Sequence, residues 1–74
     1  MPQTQVAWSI ESIGETAGRV WEYLRRSGKT SVSDIEKRID VPTTLTHLSI
    51  GWLAREGKLA VRPEGRSVQV WLTE

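Results

Sequence analysis

Seventy-four residues with a 38% apolar share suffice for one small domain and are too apolar for a disordered chain. The absence of Cys rules out a disulfide framework, and no apolar run nears the ~20 residues that span a bilayer. Ten Lys and Arg against nine Asp and Glu leave a net charge of +1, which counts mildly against a nucleic-acid partner. Four Trp and no Phe mean that a few large rings, each burying ~150–250 Å², carry much of the core. The N-terminus, Met1-Pro2-Gln3-Thr4-Gln5, has no basic leader region. The expectation is a soluble cytoplasmic domain, complete as it stands.

In chain order, residues 1–5 are polar, and Val6, Trp8 and Ile10 then alternate. That alternation predicts either a short strand with one buried face or an arm laid over the core. Residues 1–11 are therefore read as an N-terminal arm or strand, and residues 12–74 as the folded domain. Ser12-Ile13-Gly14-Glu15 has the capping-box spacing, which predicts a first helix opening at Ser12. Ile13, Ala17, Val20, Trp21 and Leu24 follow as one apolar stripe, Arg25-Arg26 suit the last turn, and Gly28 supplies the stop. Within this helix, Gly14 and Gly18 are expected to let another element approach closely.

Thr30-Ser31-Val32 is a short bridge, one ladder beside a hairpin. Ser33-Asp34-Ile35-Glu36 repeats the capping spacing and predicts a second, shorter helix with Ile35 and Ile39 inward. Pro42 then forces a break at Val41. A short helix, a tight break and another helix is the helix-turn-helix pattern. The third helix is predicted from about Thr43 to Glu56, stopped by Gly57. At 100° per residue, Leu45, Leu48, Ser49, Trp52 and Leu53 gather on the side expected to face the core. Thr43, His47, Ile50, Gly51 and Ala54 gather on the outer side.

Leu59 to Arg62 and Ser67 to Leu72 alternate with period two about the turn Pro63-Glu64-Gly65-Arg66. Leu59, Val61, Val68, Val70 and Leu72 would face the core, with Arg62 and Arg66 at the hairpin tip. The order helix, helix, helix, hairpin predicts an α+β, mainly α, winged helix-turn-helix. It has three helices and a two- or three-stranded antiparallel sheet.

Two stretches add a resemblance. Ile13-Gly14-Glu15-Thr16-Ala17-Gly18-Arg19-Val20-Trp21-Glu22-Tyr23-Leu24 and Gly51-Trp52-Leu53-Ala54-Arg55-Glu56-Gly57-Lys58 resemble the signature blocks of a small prokaryotic family. Its members are stand-alone winged helix-turn-helix domains of unknown function. The resemblance covers roughly residues 13–72 and implies the winged-helix fold, with homodimers among the members. It implies no catalytic or binding residues.

The residues themselves present no catalytic set. His47 is the single histidine, and without Cys it falls short of a transition-metal ligand set, so neither metal nor cofactor is expected. Gly14, Gly18 and Gly28 do not form a phosphate-cradling loop. Two functional readings remain. The first is a non-enzymatic DNA-binding module of the transcription-regulator type. In it Lys37, Arg38, Arg55, Lys58, Arg62 and Arg66 contact phosphates, and Thr43, Thr44 and His47 lie nearest the bases. No Arg, Lys, Asn or Gln stands on the outer side of the third helix to read a base bidentately. Trp8 and Trp71 could stack on bases, although packing is the commoner role for Trp in so small a core. The second reading is a protein-interaction or homodimerisation module using Ile50, Gly51 and Ala54, together with the Val6–Ile10 arm. Helix-two cations are expected to be offset by Asp34, Glu36 and Asp40.

Overall fold

The computed structural model describes residues 9–73. Three helices, α1 (Ile10–Ser27), α2 (Val32–Arg38) and α3 (Thr43–Arg55), combine with strands β1 (Thr30–Ser31), β2 (Leu59–Glu64) and β3 (Ser67–Leu72). The strands make one antiparallel sheet in the order β1-β3-β2, so the bridge at Thr30-Ser31 supplies the third strand. No described helix is long and apolar enough to cross a membrane.

The first helix opens one turn earlier than the Ser12 box predicts. Ser9 is its N-cap: the Ser9 hydroxyl accepts from the Ser12 backbone N–H, and the Ser12 hydroxyl accepts from the Ser9 N–H. This reciprocal cap places Glu11 in the first turn, where its charge suits the helix dipole. Ile10, expected at the end of a strand or arm, is thus the first helical residue, and it is 75% exposed. Val6 and Trp8 lie outside the described residues. The second helix also opens earlier than expected, because Ser31 rather than Ser33 accepts from the Asp34 N–H. Gly28 ends α1 at φ 75°, a conformation that L side chains avoid.

Ala17, Val20 and Leu24 of α1, Ile35 and Ile39 at α2, Ile50 and Leu53 of α3, and Leu59 and Val70 of the hairpin form the core. Trp21, Trp52 and Leu72 pack against it, half-buried. The face of α3 differs from the expected one. Leu45, Thr46, Ser49, Ile50 and Leu53 are buried, so the inward arc is turned by roughly 60° from the one that Leu48 and Trp52 suggest. Leu48 is 38% exposed, whereas Ile50, expected on the outer side, is 7% exposed and belongs to the core. The hydroxyl of Ser49 fixes this rotation by donating to the Ile13 carbonyl of α1 at 3.1 Å.

Thr46 is fully buried, and its hydroxyl meets no hydrogen-bond partner. An unpaired buried hydroxyl costs about 1–3 kcal/mol. Thr46→Val keeps the branched shape and removes that cost. It is expected to raise stability by about 1 kcal/mol, read as a rise of roughly 4–8 °C in melting temperature.

Gly14 and Gly18 do not serve close packing: a Cβ at either position would meet nothing within 4 Å. They floor an open groove of about 320 Å³ between Trp21 and Trp52. In the hairpin, Glu64 pairs with Ser67 around a two-residue turn, and Gly65 supplies the positive φ (63°) at its first position. Pro63 is tolerated because β2 is an edge strand. Val61 and Val68 share the helix-facing side of the sheet with Leu59 and Val70. They lie beyond the reach of the core, however, and remain 44% and 37% exposed rather than buried as expected.

Candidate nucleic-acid interface

With Ile50 inward, the exposed face of α3 is made by Thr43, Thr44, His47, Leu48, Gly51 and Arg55, with Ala54 half-buried. The outer patch expected from Ile50, Gly51 and Ala54 is therefore reduced to Gly51 and part of Ala54. Pro42 caps α3 without a side-chain hydrogen bond, and no acid stands in its first turn. Its leading backbone N–H groups at Thr43 and Thr44 consequently keep their positive dipole end unopposed. By contrast, α1 and α2 each have a Ser cap and an acid in the first turn.

His47 is half-exposed, and its Nε2 meets the Glu36 carboxylate of α2. A carboxylate oxygen only accepts, so Nε2 carries the proton in this contact. The pair bridges the two helices of the helix-turn-helix on its outer side. Nothing in the local sequence signals it, since the residues are eleven positions apart.

The charged groups sort unevenly. Arg25 and Arg26 pair with Glu22, Lys29 with Glu64, and Lys58 with Glu56. Lys37, Arg38, Arg55, Arg62 and Arg66 form no ion pair among the described residues, and all are exposed. Arg19 of α1 is the other cation without such a pair. Among the described residues Lys37 and Arg38 make no contact ion pair with Asp34, Glu36 or Asp40: Glu36 meets His47, and Asp34 accepts from the Thr30 hydroxyl at 3.4 Å. Apart from Arg19, the unpaired cations thus belong to α2, the end of α3 and the wing. Lys58 is the exception among the expected phosphate contacts, because it borders the Gly14–Gly18 groove beside α1. Strand alternation turns Arg62 to the sheet face away from the helices, opposite Gln69, while Arg66 stands in the turn itself.

Between α3 and the hairpin lies a hollow of about 390 Å³, lined by Val32, His47, Ile50, Gly51, Val61 and Val68. Apart from His47 its walls are apolar. Among the described residues no cluster of His, Cys, Asp and Glu could hold a metal ion.

Comparison with known proteins agrees with this architecture. The chain is 42% identical over 52 residues to the uncharacterized protein MJ1608 of Methanocaldococcus jannaschii, covering 66% of this chain and 73% of that protein. Its fold is similar to the solution structure of protein BT2368 from Bacteroides thetaiotaomicron, with a TM-score of 0.75 and 26% identity, over 84% of this chain and 76% of the other. A crystal structure of AF1382 from Archaeoglobus fulgidus shares the fold at a TM-score of 0.65 and 16% identity, over 90% and 74% of the two chains. The model of the winged helix-turn-helix domain family DUF2582 matches residues 8–72. With its three helices, its wing and a match along nearly its whole length, the chain belongs to that family.

Proposed function

We propose that the domain is a non-enzymatic DNA-binding module of the transcription-regulator type that holds a duplex mainly through its phosphates. The carrying observation is the distribution of unpaired cations: Lys37, Arg38, Arg55, Arg62 and Arg66 stand on α2, α3 and the wing. In this reading α3 lies along the major groove with Thr43, Thr44 and His47 nearest the bases. Its unopposed N-terminus adds to the attraction for phosphate. Arg55, at the C-terminal end of α3, is the one side chain of that face able to read a base bidentately, and here it is assigned to phosphate, so binding is weakly sequence-dependent.

Salt tests this directly. Affinity for a labelled duplex is expected to fall with a log–log slope of about −0.9 per phosphate neutralised. Arg62→Ala/Arg66→Ala should flatten that slope by about 1.8 and weaken binding across all sequences alike. Indifference to both salt and substitution would remove the reading.

A second reading, protein pairing or homodimerisation through α3, draws on the apolar hollow. Gly51, Val61 and Val68 with the neighbouring Leu48 offer partly exposed apolar surface, which suits another protein better than a phosphate backbone.

A further inference from the structure

The far half of the hairpin extends past the core. Arg62, Pro63, Glu64, Gly65 and Arg66 are all exposed, and Val61 and Val68 below them are only partly covered. Core packing therefore does not set the angle of the tip. One group reaches it from elsewhere. Lys29, immediately after the residue that ends α1, places its Nζ 3.1 Å from Glu64 Oε2 and 5.4 Å from the centre of the Trp71 ring. Because Thr30 pairs with Val70, Lys29 stands level with Trp71 beside β3, whereas Glu64 lies on β2 across the sheet. The lysine stem thus spans the central strand on the face turned away from the helices. Among the described residues this is the only ion pair joining the outer half of the hairpin to another element. At the same end, Gln69 donates to the Ser67 hydroxyl and Ser67 donates to the Glu64 carbonyl, which stiffens the turn locally.

We propose that Lys29 is a positioning residue for the wing: its ammonium, held between Glu64 and the Trp71 ring, fixes the direction in which Arg62 and Arg66 are presented. The ammonium is engaged on the protein and makes no phosphate contact of its own. It also offsets Glu64, the carboxylate that lies between those two arginines in the sequence. The effect on DNA rests on the binding reading above, whereas the effect on the wing does not.

The experiment therefore has two arms. In the free protein, ¹⁵N relaxation of the Gly65 and Arg66 amides is measured for wild type, Lys29→Met, Lys29→Arg and the exchanged pair Lys29→Glu/Glu64→Lys. Lys29→Met should loosen both amides, while Lys29→Arg and the exchanged pair should hold them. In the second arm, duplex titrations should show Lys29→Met weakening binding roughly three- to fivefold, the scale of a partly exposed ion pair. The salt slope should not change. A slope flattened by about 0.9 would make Lys29 a phosphate contact and overturn the proposal. Equal wing order in wild type and Lys29→Met would overturn it as well. If wild type binds no duplex at any salt, the DNA reading fails, and the relaxation arm still decides the role of Lys29.

Discussion

Ile50→Glu is expected to unfold the domain, whereas Leu48→Glu, two positions away, should leave it folded. Ile50 is 7% exposed and belongs to the core cluster with Ile35, Leu53 and Val70. Burying an unpaired charge costs several kcal/mol, and losing the Ile packing adds to that. A chain of this length has a total stability of roughly 4–11 kcal/mol. Far-ultraviolet circular dichroism on heating should therefore show a folded wild type and Leu48→Glu, and an Ile50→Glu with little or no transition. The contrast also identifies the variant that can test pairing. Loss of self-association in Ile50→Glu would report only unfolding. Leu48→Glu charges an exposed apolar residue of α3, so sedimentation across a concentration series is informative with it. A wild type that stays monomeric throughout would speak against self-pairing, as would a dimer indifferent to Leu48→Glu.

Ile35→Ala is expected to cost about 2–5 kcal/mol and to lower the melting temperature by roughly 8–40 °C. A seven-residue helix has too few hydrogen bonds to stand alone, so α2 exists because its buried side chain is packed. Within the helix that side chain is Ile35, fully buried, with Ile39 following at the cap. Truncation leaves a cavity between α2, α3 and β3, and α2 also carries Lys37, Arg38 and the Glu36 contact to His47. If DNA binding depends on those groups, the folded fraction of Ile35→Ala should bind more weakly than wild type at equal folded concentration. A drop of only a few degrees would show that α2 is held by something other than its core contact.

The architecture was largely legible in the sequence because each local signal agreed with its neighbours. Gly28 and Gly57 mark real stops, Pro42 separates two helices, and the alternation around Gly65 becomes a hairpin, although Pro63 and Glu64 extend β2 instead of forming part of a four-residue turn. Helix starts were less legible for a local reason. Ser9 and Ser12 each precede a plausible first turn, and the Ser9–Ser12 pair closes a complete cap that the later choice would leave unused. The face of α3 could not be read from periodicity. Leu45, Leu48, Ile50, Trp52, Leu53 and Ala54 surround the helix, so no single stripe stands out. Contacts distant in sequence decide it, chiefly Ser49 on the Ile13 carbonyl and the burial of Thr46. Thr46 is a polar residue that a hydrophobic count passes over, whereas Ser49 already falls on the expected inner side. The candidate site is affected accordingly: Lys37, Arg38, Arg55, Arg62 and Arg66 are exposed, whereas Ile50 belongs to the core and not to an outer patch. Glu36 and Lys29 entered only through partners eleven and thirty-five positions away.

Pro63 has one more consequence. The longer of the two edge strands is β2, where the imide nitrogen of proline sits between Arg62 and Glu64, while the other, β1, is only two residues long. A strand from a neighbouring molecule finds an interrupted template there, so copies of this chain are poorly suited to joining edge to edge into ribbons. Crowding many copies together should therefore leave them discrete, and any assembly must be built from side-chain surfaces rather than by lengthening the sheet.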